Sequence, residues 1–195
     1  MALKFRKLVA GIDRELRVTS AVRTEAQKAG HHEVVAVANL TQHIGLVTVD
    51  FAIVSAEFFS CEERWHKSLY GRIASLMIVE CFEDFGELLG KKLRDPLVAM
   101  SFDPVVMANL NRVHKELNSL RDRNEEVLRQ IRNNVFGHRE LDTGVQLRVM
   151  ESLDPAMIGR VMKELMTWLL TLQEFTGMLL PHISQFVKAR LAKSQ

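Results

Sequence analysis

The chain has 195 residues, 47% of them apolar, and its 26 lysines and arginines nearly balance 24 aspartates and glutamates. That length suits one domain, or one domain with an arm, and the apolar share supports a real core and excludes wholesale disorder. A net charge of +2 excludes a general polyanion binder, so any nucleic-acid contact has to come from a local patch.

The N-terminal stretch MALKFRKLVAGIDREL lacks the apolar core and small-residue cleavage site of a signal peptide. A charged, weakly amphipathic helix is expected over roughly 3–29. Gly30, His31 and His32 read as a helix stop and an exposed connection. The next stretch, EVVAVANLTQHIGLVTVDFAIVSAEFFS, is ambiguous. Its β-branched residues favour strand, whereas its length favours a buried helix, and helix is the expectation, with a break near Gly45. Its most apolar run carries Asp50 and Glu57 and is too short and too charged for a convincing bilayer span.

CEERWHKSLYGRIASLMIVECFEDFGELLGKKL reads as a third helix, with acids early and Lys91 and Lys92 late, as the helix dipole prefers. Cys81 within it reads as an ordinary buried thiol. It and Cys61 are the two cysteines, and no paired Cys/His spacing accompanies them. A disulfide scaffold, a metal site and a cofactor are therefore not expected. RDPLVAMSFDP reads as a loop, after which Asp103 caps a helix with Pro104 at its first position. Val106, Leu110, Val113, Leu117, Leu120, Val127, Ile131 and Val135 then recur at spacings of three and four, with Asn124 the polar position in the seam. Asp154 and Pro155 start the last helix, whose apolar series runs from Ile158 to Phe186. These elements predict an all-α fold, an antiparallel bundle of four to five long helices in a single domain. Residues 1–30 form an N-terminal helix or arm and 33–190 the bundle. The composition predicts a soluble protein of a reducing compartment, cytoplasmic and without a membrane span.

The string QIRNNVFGHRELD, residues 130–142, places an arginine, two asparagines, a glycine and a histidine at the end of the striped helix. One reading is a plain helix end, with Gly137 as the stop and His138 and Arg139 as cations beyond a C-terminus. The other is the edge of an active site. On an ideal helix Arg132 and His138 lie about 120° apart, so they converge only if the chain leaves its axis near Gly137.

The string resembles the signature of the HEPN superfamily: arginine, a polar residue, a few more residues, then histidine. Here these are Arg132, Asn133, the run Asn134, Val135, Phe136 and Gly137, and then His138. The form RNNVFGHRELD is similar to versions in abortive-infection and toxin-type members. The resemblance covers about ten residues in sequence and the helical architecture of roughly 35–190. It implies metal-independent RNA cleavage, or else non-catalytic binding of a nucleotide, RNA or protein partner. In the catalytic case His138 moves protons, Arg132 stabilises phosphate charge, and Asn133, Asn134 and Gly137 support the site. One chain carries one such histidine, and acid and base are two tasks, so the resemblance implies a homodimer with both motifs at the seam. It also implies RNA as a partner and a nucleotidyltransferase-like antitoxin as another.

Four further residues are candidates for support of that site. Asp50 interrupts an apolar run, and such an acid is more often the partner of an arginine or a backbone amide than a catalyst. Glu80 and Glu83 cluster with Asp84 on the third helix, and Arg72 lies earlier on it. Arg121, Arg123, Arg129, Arg132 and Arg139 make a locally basic flank diluted by acids. That flank is either an RNA guide or an ordinary charged helix with i,i+4 pairs.

Overall fold

The computed structural model describes residues 2–131, 144, 148, 151 and 154–193. Among them the chain is helical and carries no strand, as the hydrophobic spacing predicts. Among the described residues five long helices and one short one are placed. They are α1 (Ala2–Lys28), α2 (His32–Ser60), α3 (Arg64–Glu87), the short α4 (Leu93–Ala99), α5 (Pro104–Ile131) and α6 (Pro155–Lys193).

The helix ends follow from local chemistry. Gly30 adopts the left-handed conformation, φ 72°, with hydrogen bonds from the Gly30 amide to the Gln27 carbonyl and from the His31 amide to the Ala26 carbonyl. This is the paired bonding of a Schellman end, which satisfies the last carbonyls of α1. Glu63 starts α3, accepting bonds from the Trp65 and His66 amides at 3.0 and 2.7 Å. Those two amides hold its carboxyl below the usual carboxylate range. Asp103 Oδ1 accepts from the Val105 amide at 2.7 Å, and Asp154 Oδ1 from the Ala156 amide at 2.9 Å. Both helices begin at the expected proline.

Three expectations are corrected. RDPLVAMSFDP is not a loop throughout, because α4 occupies most of it. Gly90 leaves helical dihedrals (φ −74°, ψ −133°) inside the π-type turn Leu88–Lys92, and the chain then resumes as helix. Pro96 lies within α4 and supplies no N–H to the carbonyl four residues earlier. The helix ends in a second Schellman arrangement, with Ser101 at φ 56° in the position Gly30 fills in the first. A serine there gave the sequence no glycine signal to read.

The break near Gly45 does not occur, and α2 is continuous. A Cβ at Gly45 would meet Leu16 Cδ2 at 3.0 Å and Ile12 Cγ2 at 3.3 Å, so the glycine serves the close approach of α1 rather than a kink. The buried positions 34, 37, 38, 40, 41, 44, 45, 48, 51 and 52 follow one helical stripe, and Thr41 and Thr48 return their hydroxyls to the carbonyls of Val37 and Ile44. Leu46 and Ile53 are exposed, so apolar residues on both faces produced the ambiguity. By length and composition α2 is apolar enough to cross a membrane, and a third of its most apolar window is buried inside the protein.

The third correction concerns His31. The expected exposed connection holds for His32, but His31 is 8% exposed.

The chain divides into two compact units. The first comprises Met1–Val49, Glu87–His114 and Leu169–Gln195. Its core includes Ile12, Val37, Ile44, Leu97, Leu110 and Phe175. Gln173 Nε2 donates to Glu15 at 2.7 Å, so α1 packs within this unit. The second comprises Asp50–Gly86 and Lys115–Trp168. Its core is aromatic, with Phe51, Phe58, Phe82 and Phe85 fully buried, and the Phe85 ring meets Trp168 edge-on at 5.4 Å. The stripes of α5 and α6 supply Leu117, Leu120, Val161 and Leu165. Cys81 is buried here, as expected of an ordinary thiol, and burial is the main cause that pushes it up to about 12.

Candidate functional site

Arg132, Asn133, Asn134, Gly137 and His138 lie outside the described residues, as do Val135 of the stripe and Arg139. The structure describes the helix that leads to them, α5, and the four candidate support residues. All four belong to the second unit.

Glu83 is the one tied to the end of α5. Arg129, in the last turn of α5, donates from Nη2 to Glu83 on α3 at 2.9 Å and also to Glu125 one turn back on its own helix. Arg121 Nε lies 3.5 Å from Glu125 and pairs with Asp122. Together these form a chain of alternating charge along α5 that crosses to α3. Both carboxylates favour the charged form of Arg129 and raise its pKa, with the Glu125 bond the larger cause. Arg123 pairs with Glu164 of α6 at 3.1 Å. Arg121, Arg123 and Arg129 of the basic flank are therefore engaged with acids. That arrangement matches the reading of an ordinary charged helix.

Glu80 is half-buried one turn before Glu83, and its charge, with that of Asp84, adds to the upward shift of Cys81. Arg72 is half-buried about three turns before Glu83 on α3, close to the same face. Its Nε donates to the Ser68 carbonyl at 3.3 Å, and among the described residues no carboxylate pairs with it. Burial lowers its pKa from the usual guanidinium value. Asp50 does not fit the expected buried partner role, because it is exposed on α2. The helix turns it outward, whereas Thr48 and Phe51 beside it face the core. Glu83 and Arg129 are thus brought together, Arg72 and Glu80 share α3 with Glu83, and Asp50 stands apart on α2.

Among the described residues no group of three or more His, Cys, Asp or Glu side chains is arranged to hold a metal ion. The sequence reading missed His31, whose burial is taken up below. The available signal was its place just after the glycine that ends α1, a position that usually folds back on the helix. Comparison with protein-family models, with curated proteins and with solved structures returns no match.

Proposed function

We propose that this chain is a HEPN-type endoribonuclease that cuts RNA without a metal ion, as a toxin or phage-defence effector of the cytoplasm. The observation that carries the reading is the string RNNVFGH, which comes in the sequence between α5 and the final long helix. An all-helical fold with the motif in that place agrees with the resemblance. The Arg129–Glu83 bond supports it further, since it anchors the turn of α5 next to Arg132 against α3.

The chemistry is transfer within the RNA strand. The ribose 2′-oxygen loses its proton and attacks the adjacent phosphorus, and the 5′-oxygen of the next nucleotide leaves with a proton. His138 moves protons, since an imidazole is tuned for both tasks near neutral pH. Arg132 offers its planar fork of donors to the oxygens that gain charge. Asn133 orients the histidine or holds a phosphate oxygen. A homodimer with two-fold symmetry supplies the second histidine. A nucleotidyltransferase-like partner serves as antitoxin.

A second reading is a non-catalytic HEPN-like module that binds a nucleotide, RNA or protein. The paired arginines of α5 and the net charge of +2 favour its protein-binding form, because they leave little unneutralised charge on that helix for RNA.

The test is incubation of the purified chain with a mixed RNA pool in EDTA, beside Arg132→Ala and His138→Ala. The nuclease reading expects cleavage with 2′,3′-cyclic phosphate ends and at least a hundredfold loss in both variants, the scale of a general acid–base contribution. No cleavage, or equal cleavage by all three proteins, overturns it in favour of the binding module.

A further inference from the structure

The first unit contains a cleft of about 690 Å³ between α1, the turn that follows it, the start of α2 and the C-terminal half of α6. Its walls are almost wholly apolar, with Val18, Val22 and Ala26 facing Leu180, Ile183 and Val187. That volume lies in the range, roughly 300–1,000 Å³, of sites that enclose small organic ligands. Val18 is 52% exposed, an apolar side chain left open to water at the rim.

His31 is the unusual member of the lining. It follows Gly30 in the Schellman end of α1, at the position where an apolar side chain usually packs back on the last turn. Here that side chain is an imidazole, 8% exposed, and its Nε2 is buried with no hydrogen-bond partner. Buried polar atoms are nearly always paired; this one is closed to solvent, so a ligand in the cleft supplies its partner once the ring turns about its outer torsion. The charged lining group, Glu25, is exposed and already paired with Lys28 at 2.9 Å, so this pair carries no net charge.

We propose that this cleft binds an elongated apolar molecule with a carboxyl head, of the fatty-acid class, its chain on the apolar walls and one head oxygen accepting a hydrogen bond from His31. The apolar walls supply most of the affinity, and the histidine fixes which end enters.

The experiment is a fluorescence titration of the full chain with cis-parinaric acid, followed by displacement with dodecanoate. The expected result is saturable binding of one molecule per chain. Ala21→Trp, which fills the cleft from an exposed wall position, weakens binding at least tenfold. His31→Phe keeps a buried ring but removes the donor, and weakens it roughly five- to tenfold, the worth of one hydrogen bond. Far-ultraviolet circular dichroism confirms that both variants are folded. Non-saturating uptake, affinity in Ala21→Trp equal to wild type, or affinity in His31→Phe equal to wild type each overturns the proposal.

Discussion

The second unit links paired charges into a network that joins two helices, whereas the first shuts the imidazole of His31 into an apolar wall with its Nε2 unpaired. In the second, Arg121, Glu125, Arg129 and Glu83 form a chain of alternating sign, and Arg123 meets Glu164. In the first, His31 sits among valines, alanines and leucines. A cluster of charges attracts notice in a sequence, but mutual pairing in partly exposed positions accounts for it. A single histidine next to a glycine attracts none, yet its burial demands an explanation. The comparison teaches that paired, partly exposed charges explain themselves, whereas a buried imidazole without a partner calls for an explanation.

The sharpest way to break this comparison is to ask what holds each unit together. Phe85 is fully buried in the second unit and meets Trp168 edge-on. Phe85→Ala is expected to cost about 3–5 kcal/mol by chemical denaturation, the range for a truncated core aromatic. A loss below about 1 kcal/mol would mean that the aromatic core is not the unit's main support.

His31→Leu is next. Replacing an unpaired buried polar group by an apolar one of similar size removes a desolvation cost of about 1–3 kcal/mol. The variant is expected to be more stable than wild type by part of that amount, read as a higher denaturation midpoint. A loss of stability would show that Nε2 has a partner in solution, and would weaken the contrast between the units.

The two Schellman ends give a smaller and cleaner pair. Ser101→Gly places glycine where φ is 56° and is expected to stabilise by about 1 kcal/mol, whereas Gly30→Ala at φ 72° is expected to destabilise by a similar amount. Equal and opposite shifts in melting temperature would confirm that backbone conformation alone sets both. The smallest effect belongs to the charges. The Arg129 and Glu83 side chains are 40% and 42% exposed, so Arg129→Ala should cost no more than about 1 kcal/mol, less in high salt. A larger, salt-insensitive loss would mark the network as a structural clasp for the end of α5.

Much of the fold was legible before the structure. The stripe of α6, that of α5 from Leu110 to Leu120, the caps at Asp103 and Asp154 and the stop at Gly30 are local signals that fall where the sequence puts them. The failures share one cause. Gly45 and Asp50 are read from residue type, but their roles depend on what lies across from them or on which face they occupy. Of the candidate site, the supporting residues on α3 and the flank of α5 could be placed. The motif itself was legible only as a string.

The sequence by itself determined the class: long helices, their caps and their apolar faces, because these follow from periodicity and from chemistry within a few residues. Only the tertiary structure decided that α1 presses on Gly45, that Arg129 reaches Glu83, and that His31 is shut into an apolar wall. Each of these joins residues on different helices or turns on burial, and burial is a property of the packed chain that no local pattern encodes.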